Sequence, residues 1–135
     1  MVKEELSKLE MLKTATQALA LPFKEQISLF PEFVHITDEL LLNFDDVFLF
    51  INEFLEKNLL TQGQIKFFRE IDNFSIFLTK QCYKITPKEV LRTDIQWEKM
   101  RDLAKKALIA MNWSLEPPRL SHLTYLSSDR KSRPK

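Results

Sequence analysis

Apolar and polar positions recur with the period of a helix along most of this 135-residue chain. The pattern is densest over 44–60, FDDVFLFINEFLEKNLL. At about 100° per residue, Phe44, Val47, Phe48, Phe50, Ile51, Phe54, Leu55 and Leu59 fill about half of the circumference. Asp45, Asp46, Asn52, Glu53 and Glu56 fill most of the opposite side. A surface helix needs an apolar stripe only about 100° wide. A stripe about twice that width must be covered by several neighbours at once, so 44–60 is predicted to be the central helix of a small bundle. Its outer stripe is acidic, and Leu49 is the one bare apolar residue at the middle of it.

The remaining elements follow the same rule. Residues 3–20 predict a first helix, with Leu6, Leu9, Leu12, Ala15 and Leu19 at three- and four-residue spacing and Glu4 and Glu5 in the first turn. Pro22 suits the first position of a short helix over about 22–30, and Pro31 ends it. In 32–43, the segment 34–37 alternates like a short strand. The following Asp-Glu-Leu-Leu-Leu favours a helix near 33–42, and no partner strand is visible; Asn43 would then break it and cap the central helix. Thr61 with Gln64 forms a capping box for a helix over 62–80, whose Ile65, Phe67, Phe68, Ile71, Phe74 and Leu78 share one side. Thr86-Pro87-Lys88-Glu89 opens a short helix to about Arg92, and Thr93 with Gln96 repeats the capping box for a last helix over 94–112. Trp97, Met100, Leu103, Ala104, Ala107, Leu108 and Met111 form its apolar face, and Asn112 can end it.

The expected architecture is therefore an all-α, single-domain bundle of five to six helices over 1–116. A basic, Ser-rich tail over 117–135 is predicted to be partly or wholly mobile, with Leu120, Leu123, Tyr125 and Leu126 able to dock part of it. Composition agrees. One Gly and 11 Phe in a chain that is 44% hydrophobic suit packed helices better than tight-turned sheets. The single cysteine, Cys82, excludes an intramolecular disulfide, argues against a cysteine zinc site and reads as a free thiol. The charged start MVKEELSKLE has no apolar signal segment, and the longest apolar run, VFLFI, is far below the roughly 18–20 residues that span a bilayer. The expected compartment is the cytoplasm, with no membrane partner.

No residue set specifies a chemistry or a cofactor. His35 and His122 have no second His or Cys at ligand spacing; His35, between Val34 and Ile36, is predicted to be a buried or half-buried structural histidine. Cys82 has Lys80 and Lys84 nearby but no base that would make it a nucleophile. Asp38-Glu39 and Asp45-Asp46 do not match the spacing of a calcium loop, and one Gly cannot build a phosphate-cradling loop. The chain is predicted to be non-enzymatic and metal-free.

Charge is the least ordinary feature. Residues 25–56 carry eight acids and no Lys or Arg, whereas 99–135 has a net charge of +6, in a chain of net charge +1. Lys99, Arg101, Lys105, Lys106 and the tail could form a basic strip for nucleic acid, but the acidic block would repel the same polymer. The acidic stripe has two readings: a solvated helix face, or a docking surface for a basic protein. On the second, Glu32, Asp38, Glu39, Asp45, Asp46, Glu53 and Glu56 would steer the partner and Leu49 would anchor it. The same asymmetry would let the basic end of one copy pair with the acidic block of another, as a homodimer.

Two phrases, LFPEFVHITDELLLNFDD (29–46) and LRTDIQWEKMRDLAKKALIAMNW (91–113), resemble short all-helical bacterial proteins without assigned catalytic activity. Their organisation is similar to that of immunity proteins encoded beside secreted polymorphic toxins, including those of contact-dependent growth-inhibition systems. The resemblance covers roughly 20–113. It implies an antitoxin-like role: stoichiometric binding of a cognate toxin domain in the cytosol, with an acidic surface meeting a basic nuclease. This chain departs from that pattern in being nearly neutral, with a basic tail, where many such inhibitors are acidic overall.

Overall fold

The computed structural model describes residues 3–31, 35–81 and 86–118, with side chains from Ser7 onward. Glu32, Val34, Cys82 and His122, and the tail from Arg119, lie outside the described residues. Every regular element among the described residues is helical: α1 (Lys3–Ala20), α2 (Phe23–Ser28), α3 (Ile36–Phe48), α4 (Ile51–Glu56), α5 (Gln62–Thr79), α6 (Pro87–Thr93) and α7 (Ile95–Ala110). The all-α expectation holds. None of these helices is long and apolar enough to cross a membrane.

One continuous core takes side chains from α1, α3, α4, α5, α6 and α7. α1 packs on α3 and α7, and α7 packs along α5. The last two run antiparallel: Gln64 Nε2 donates to the Ala110 carbonyl at one end (3.4 Å), and at the other Lys99 Nζ lies 5.1 Å from the Phe74 ring centre. Local signals explain most boundaries. Thr61 and Gln64 form the reciprocal capping box at the start of α5. Thr86 caps α6, with Pro87 at its first turn. Asn58 and Asn112 hold the left-handed conformation (φ 60° and 58°) that closes helices when no glycine is at hand. After them, the amides of Leu59 and Trp113 donate to the Phe54 (2.8 Å) and Leu108 (2.9 Å) carbonyls.

Four expectations are corrected. The predicted central helix 44–60 is two helices, α3 and α4, separated by a turn at Leu49 and Phe50. The Phe50 amide donates to Val47 O at 3.0 Å, a tightened last turn, and the Phe50 ring lies under the Lys8 ammonium from α1 at 4.0 Å. Its broad apolar face is covered as expected, with Phe44, Val47, Ile51 and Phe54 all buried. Asn43 breaks nothing; it sits inside α3, buried, with Nδ2 donating to Glu39 O at 2.8 Å. The cap of α7 is Asp94, whose Oδ1 accepts from the Gln96 amide at 2.7 Å, while Thr93 closes α6 and donates to Glu89 O. His35 is exposed, at the N-terminus of α3 with Nδ1 3.8 Å from Asp38 Oδ2, because it precedes the helix whose buried face begins at Ile36.

The most enclosed stretch is the second half of α1. From Thr14 to Leu21 every side chain is buried, polar ones included. Thr16 Oγ1 donates to Leu12 O at 2.7 Å, and Gln17 Nε2 donates to Ser114 O at 3.0 Å. Alanines at 15, 18 and 20 let neighbouring helices approach closely, and the local hydrogen bonds offset the cost of burying polar groups.

Candidate protein-binding face

α3 runs unbroken through Asn43, so residues 38, 42, 45 and 49 fall on one row, at steps of four, three and four. That row is the outer edge of the helix, opposite the buried Ile36, Leu40, Phe44 and Val47. It reads Asp38, Leu42, Asp45, Leu49, with Asp46 beside it. Leu49, at the α3–α4 corner, is 82% exposed and Leu42 is 39% exposed. Two leucines interleaved with carboxylates therefore replace the single bare leucine of the sequence reading. The missed signal was the four-three-four spacing itself, hidden by ending the helix at Asn43.

The other predicted residues divide. Glu39 is only 1% exposed and turns inward, a correction that follows from its place three residues after the buried Ile36 and four before the buried Asn43, on the same side of the helix. Glu53 faces α1 and is bracketed by Lys8 (3.4 Å) and Lys57 (3.7 Å). The lysine-free block thus borrows its cations from flanking segments. Glu56 is exposed on α4.

A residue not singled out by sequence joins the face. Asp72 of α5 lies close enough to Asp45 to act on its charge. Burial, then the Asp72 charge, then the Asp46 charge raise the Asp45 carboxyl from its ordinary 3.8 to about 6. Burial also raises Asp72, against the lowering effect of Arg69. Arg69 Nη2 donates to Asn52 Oδ1 at 3.4 Å, bridging α5 and α4 beside these carboxylates.

The sign of the Asp45 effect follows from its raised value. A carboxyl that takes up a proton more readily in the folded chain than in the unfolded one stabilises the fold below about pH 4, and that contribution is lost as pH rises through about 6. Asp45→Asn should therefore raise stability at pH 7.5 by about 1 kcal/mol, the full value of the shift being discounted because the carboxyl is only partly buried. At pH 4 the gain should vanish. Urea titrations of both proteins at the two pH values check this; equal gains at both would show that charge is not the cause.

Other surfaces bear on the rival readings. A polar cleft of about 290 Å³ lies between α1 and residues 114–117, lined by Glu10, Lys13, Thr14, Gln17 and Ser114. It holds neither His nor Cys, and Gln17 is tied to Ser114 across it. Of the basic residues of α7, Arg101 is buried and cannot reach a phosphate. No group of three or more His, Cys, Asp or Glu side chains among the described residues is arranged to hold a metal ion. Comparison of the chain with protein-family models, curated proteins and solved structures finds no match.

Proposed function

We propose that this chain is a non-catalytic protein-binding module that takes a basic protein surface on the outer row of α3, as an immunity or antitoxin-like protein acting in the cytoplasm would. The observation that carries the reading is Leu49: an 82% exposed leucine, fixed at a helix corner, on a row where carboxylates alternate with apolar side chains. An apolar anchor ringed by one sign of charge suits recognition in two stages. Asp38, Asp45 and Asp46 steer a cationic partner, and Leu49 with Leu42 slows its departure. A lysine or arginine from that partner would also relieve the mutual repulsion around Asp45, a gain unavailable to a neutral or acidic surface.

The test uses the full chain carrying a benzophenone side chain at position 49 or, as a control, at Ile109, which is 70% exposed in the last turn of α7. Adducts from the native source are expected at 49 and not at 109, on a protein with a basic surface. With that protein in hand, Leu49→Ala should raise the dissociation rate about tenfold. Asp45→Asn with Asp46→Asn should lower the association rate and flatten its salt dependence. Wild-type kinetics in these variants would leave the row of α3 a solvated face.

A further inference from the structure

A second surface lies on the other flank of α5. Phe74 and Asp72 are about 160° apart around that helix, so the groove that Phe74 lines is turned away from the α3 row. The groove, of about 600 Å³, runs between α5 and α7 over Phe74, Phe77 and Leu103, with Glu70 on one wall and Lys99 on the other. The rings of Phe74 and Phe77 stack at 5.4 Å, and Phe77 remains 41% exposed. Ile95, four residues before Lys99 on α7, is 79% exposed. Lys99 covers part of the Phe74 ring, but neither Lys99 nor Glu70 has an ion-pair partner among the described residues.

We propose that this groove is the interface of a homodimer related by a twofold axis. In such an interface each contact occurs twice, residue i meeting j and j meeting i. A patch of one sign would repel its own copy. This patch instead sets one unpaired acid on α5 and one unpaired base on α7 either side of an apolar floor, so a twofold brings Glu70 of each copy to Lys99 of the other. The floor supplies the aromatic and aliphatic contact that interface centres favour. The net charge of +1 leaves no long-range repulsion to overcome. Phe74 and Leu103 look like core residues in the sequence because their spacing matches the buried face; they lie on its edge, and Phe77 extends that edge into solvent.

Sedimentation velocity of the full chain over a range of roughly 1–500 μM should show a concentration-dependent dimer. Glu70→Lys or Lys99→Glu alone should weaken it at least tenfold, since each places two like-charge contacts in one interface. The double variant Glu70→Lys/Lys99→Glu should recover the wild-type constant within about threefold. Both positions are exposed, so the variants should unfold thermally like the wild type. A chain that stays monomeric throughout, a dimer indifferent to both single reversals, or a double variant as weak as the singles would each overturn the proposal. Leu49→Ala should leave the dimer unchanged, which separates this surface from the α3 row.

Discussion

Replacing Gln26 with leucine is expected to lower stability by about 3 kcal/mol, more than any exposed substitution could. Gln26 belongs to a helix of only six residues, yet it is fully buried and joins four elements. Its Nε2 donates to the carbonyls of Ala18 (3.1 Å) and Leu19 (3.2 Å), which the end of α1 leaves without helical partners. Its Oε1 accepts from Arg101 Nε (3.0 Å) and Nη2 (2.8 Å) on α7. Arg101 Nη2 also donates to Leu91 O in the last turn of α6, and Nη1 to Glu98 Oε2 at 3.0 Å, where the guanidinium nears the surface. The amide thus passes the demand of the α1 carbonyls on to a cation.

Leucine at position 26 would strand those two carbonyls and take away two of the four hydrogen bonds of a buried guanidinium. Arg101→Met should cost less, about 2 kcal/mol, because the buried acceptors that it orphans are neutral and the Glu98 carboxylate it also releases is exposed to water. The double variant Gln26→Leu/Arg101→Met should be no less stable than Gln26→Leu, since it removes the buried guanidinium N–H groups that the first change leaves without an acceptor. Urea denaturation of the four proteins decides the matter. Losses that simply add would mean that the two side chains act independently, and the network would not be what joins α1, α2, α6 and α7.

That network is also where the sequence is least legible. A glutamine at the centre of a short helix and an arginine on a lysine-rich one read as surface residues, because composition cannot say which polar group has partners waiting inside. The second half of α1 misleads in the same way: Thr14, Thr16 and Gln17 weaken its apolar pattern, although all three are buried. Several helix ends fixed by local chemistry are legible, although the cap of α7 falls on Asp94 and not on Thr93. The Thr61–Gln64 box, Thr86-Pro87 and Asn112 place helix ends through backbone needs that neighbours do not alter. The break at Leu49 and Phe50 was not visible, because Val47, Ile51 and Phe54 keep helical spacing across it with no change of phase. The candidate face shared that fate. Its acids and Leu49 could be named from the chain, but Leu42 depends on α3 running through Asn43, and Asp72 arrives from a helix distant in sequence.

The largest loss from a single apolar change is expected at Phe68, where truncation to alanine should cost about 4 kcal/mol. A domain of this size is held by a net of only about 5–15 kcal/mol, so the variant should fold but melt early. Phe68 is fully buried on α5 and its ring lies 6.2 Å from that of Trp113, tilted by 56°. Trp113 follows the left-handed Asn112 and is drawn back over the end of α7 by its amide bond to Leu108 O. Removing the Phe68 ring therefore opens a cavity at the α5–α7 seam and takes away the aromatic contact that seats the segment leaving α7. Two signals separate these effects. The urea midpoint should fall with an unchanged slope if the chain still unfolds in one step. Trp113 emission should shift to longer wavelength in the native protein, whereas Trp97, buried on α7 and lining a small cleft with Leu41 of α3 and Leu78 of α5, should not change. Phe68→Leu, which keeps most of the volume, should lose roughly 1–1.5 kcal/mol and leave the native emission in place. A midpoint for Phe68→Ala within experimental error of the wild type would mean that the α5–α7 seam closes without this ring, and that the two helices are held by contacts such as those of Gln64 and Phe74 instead.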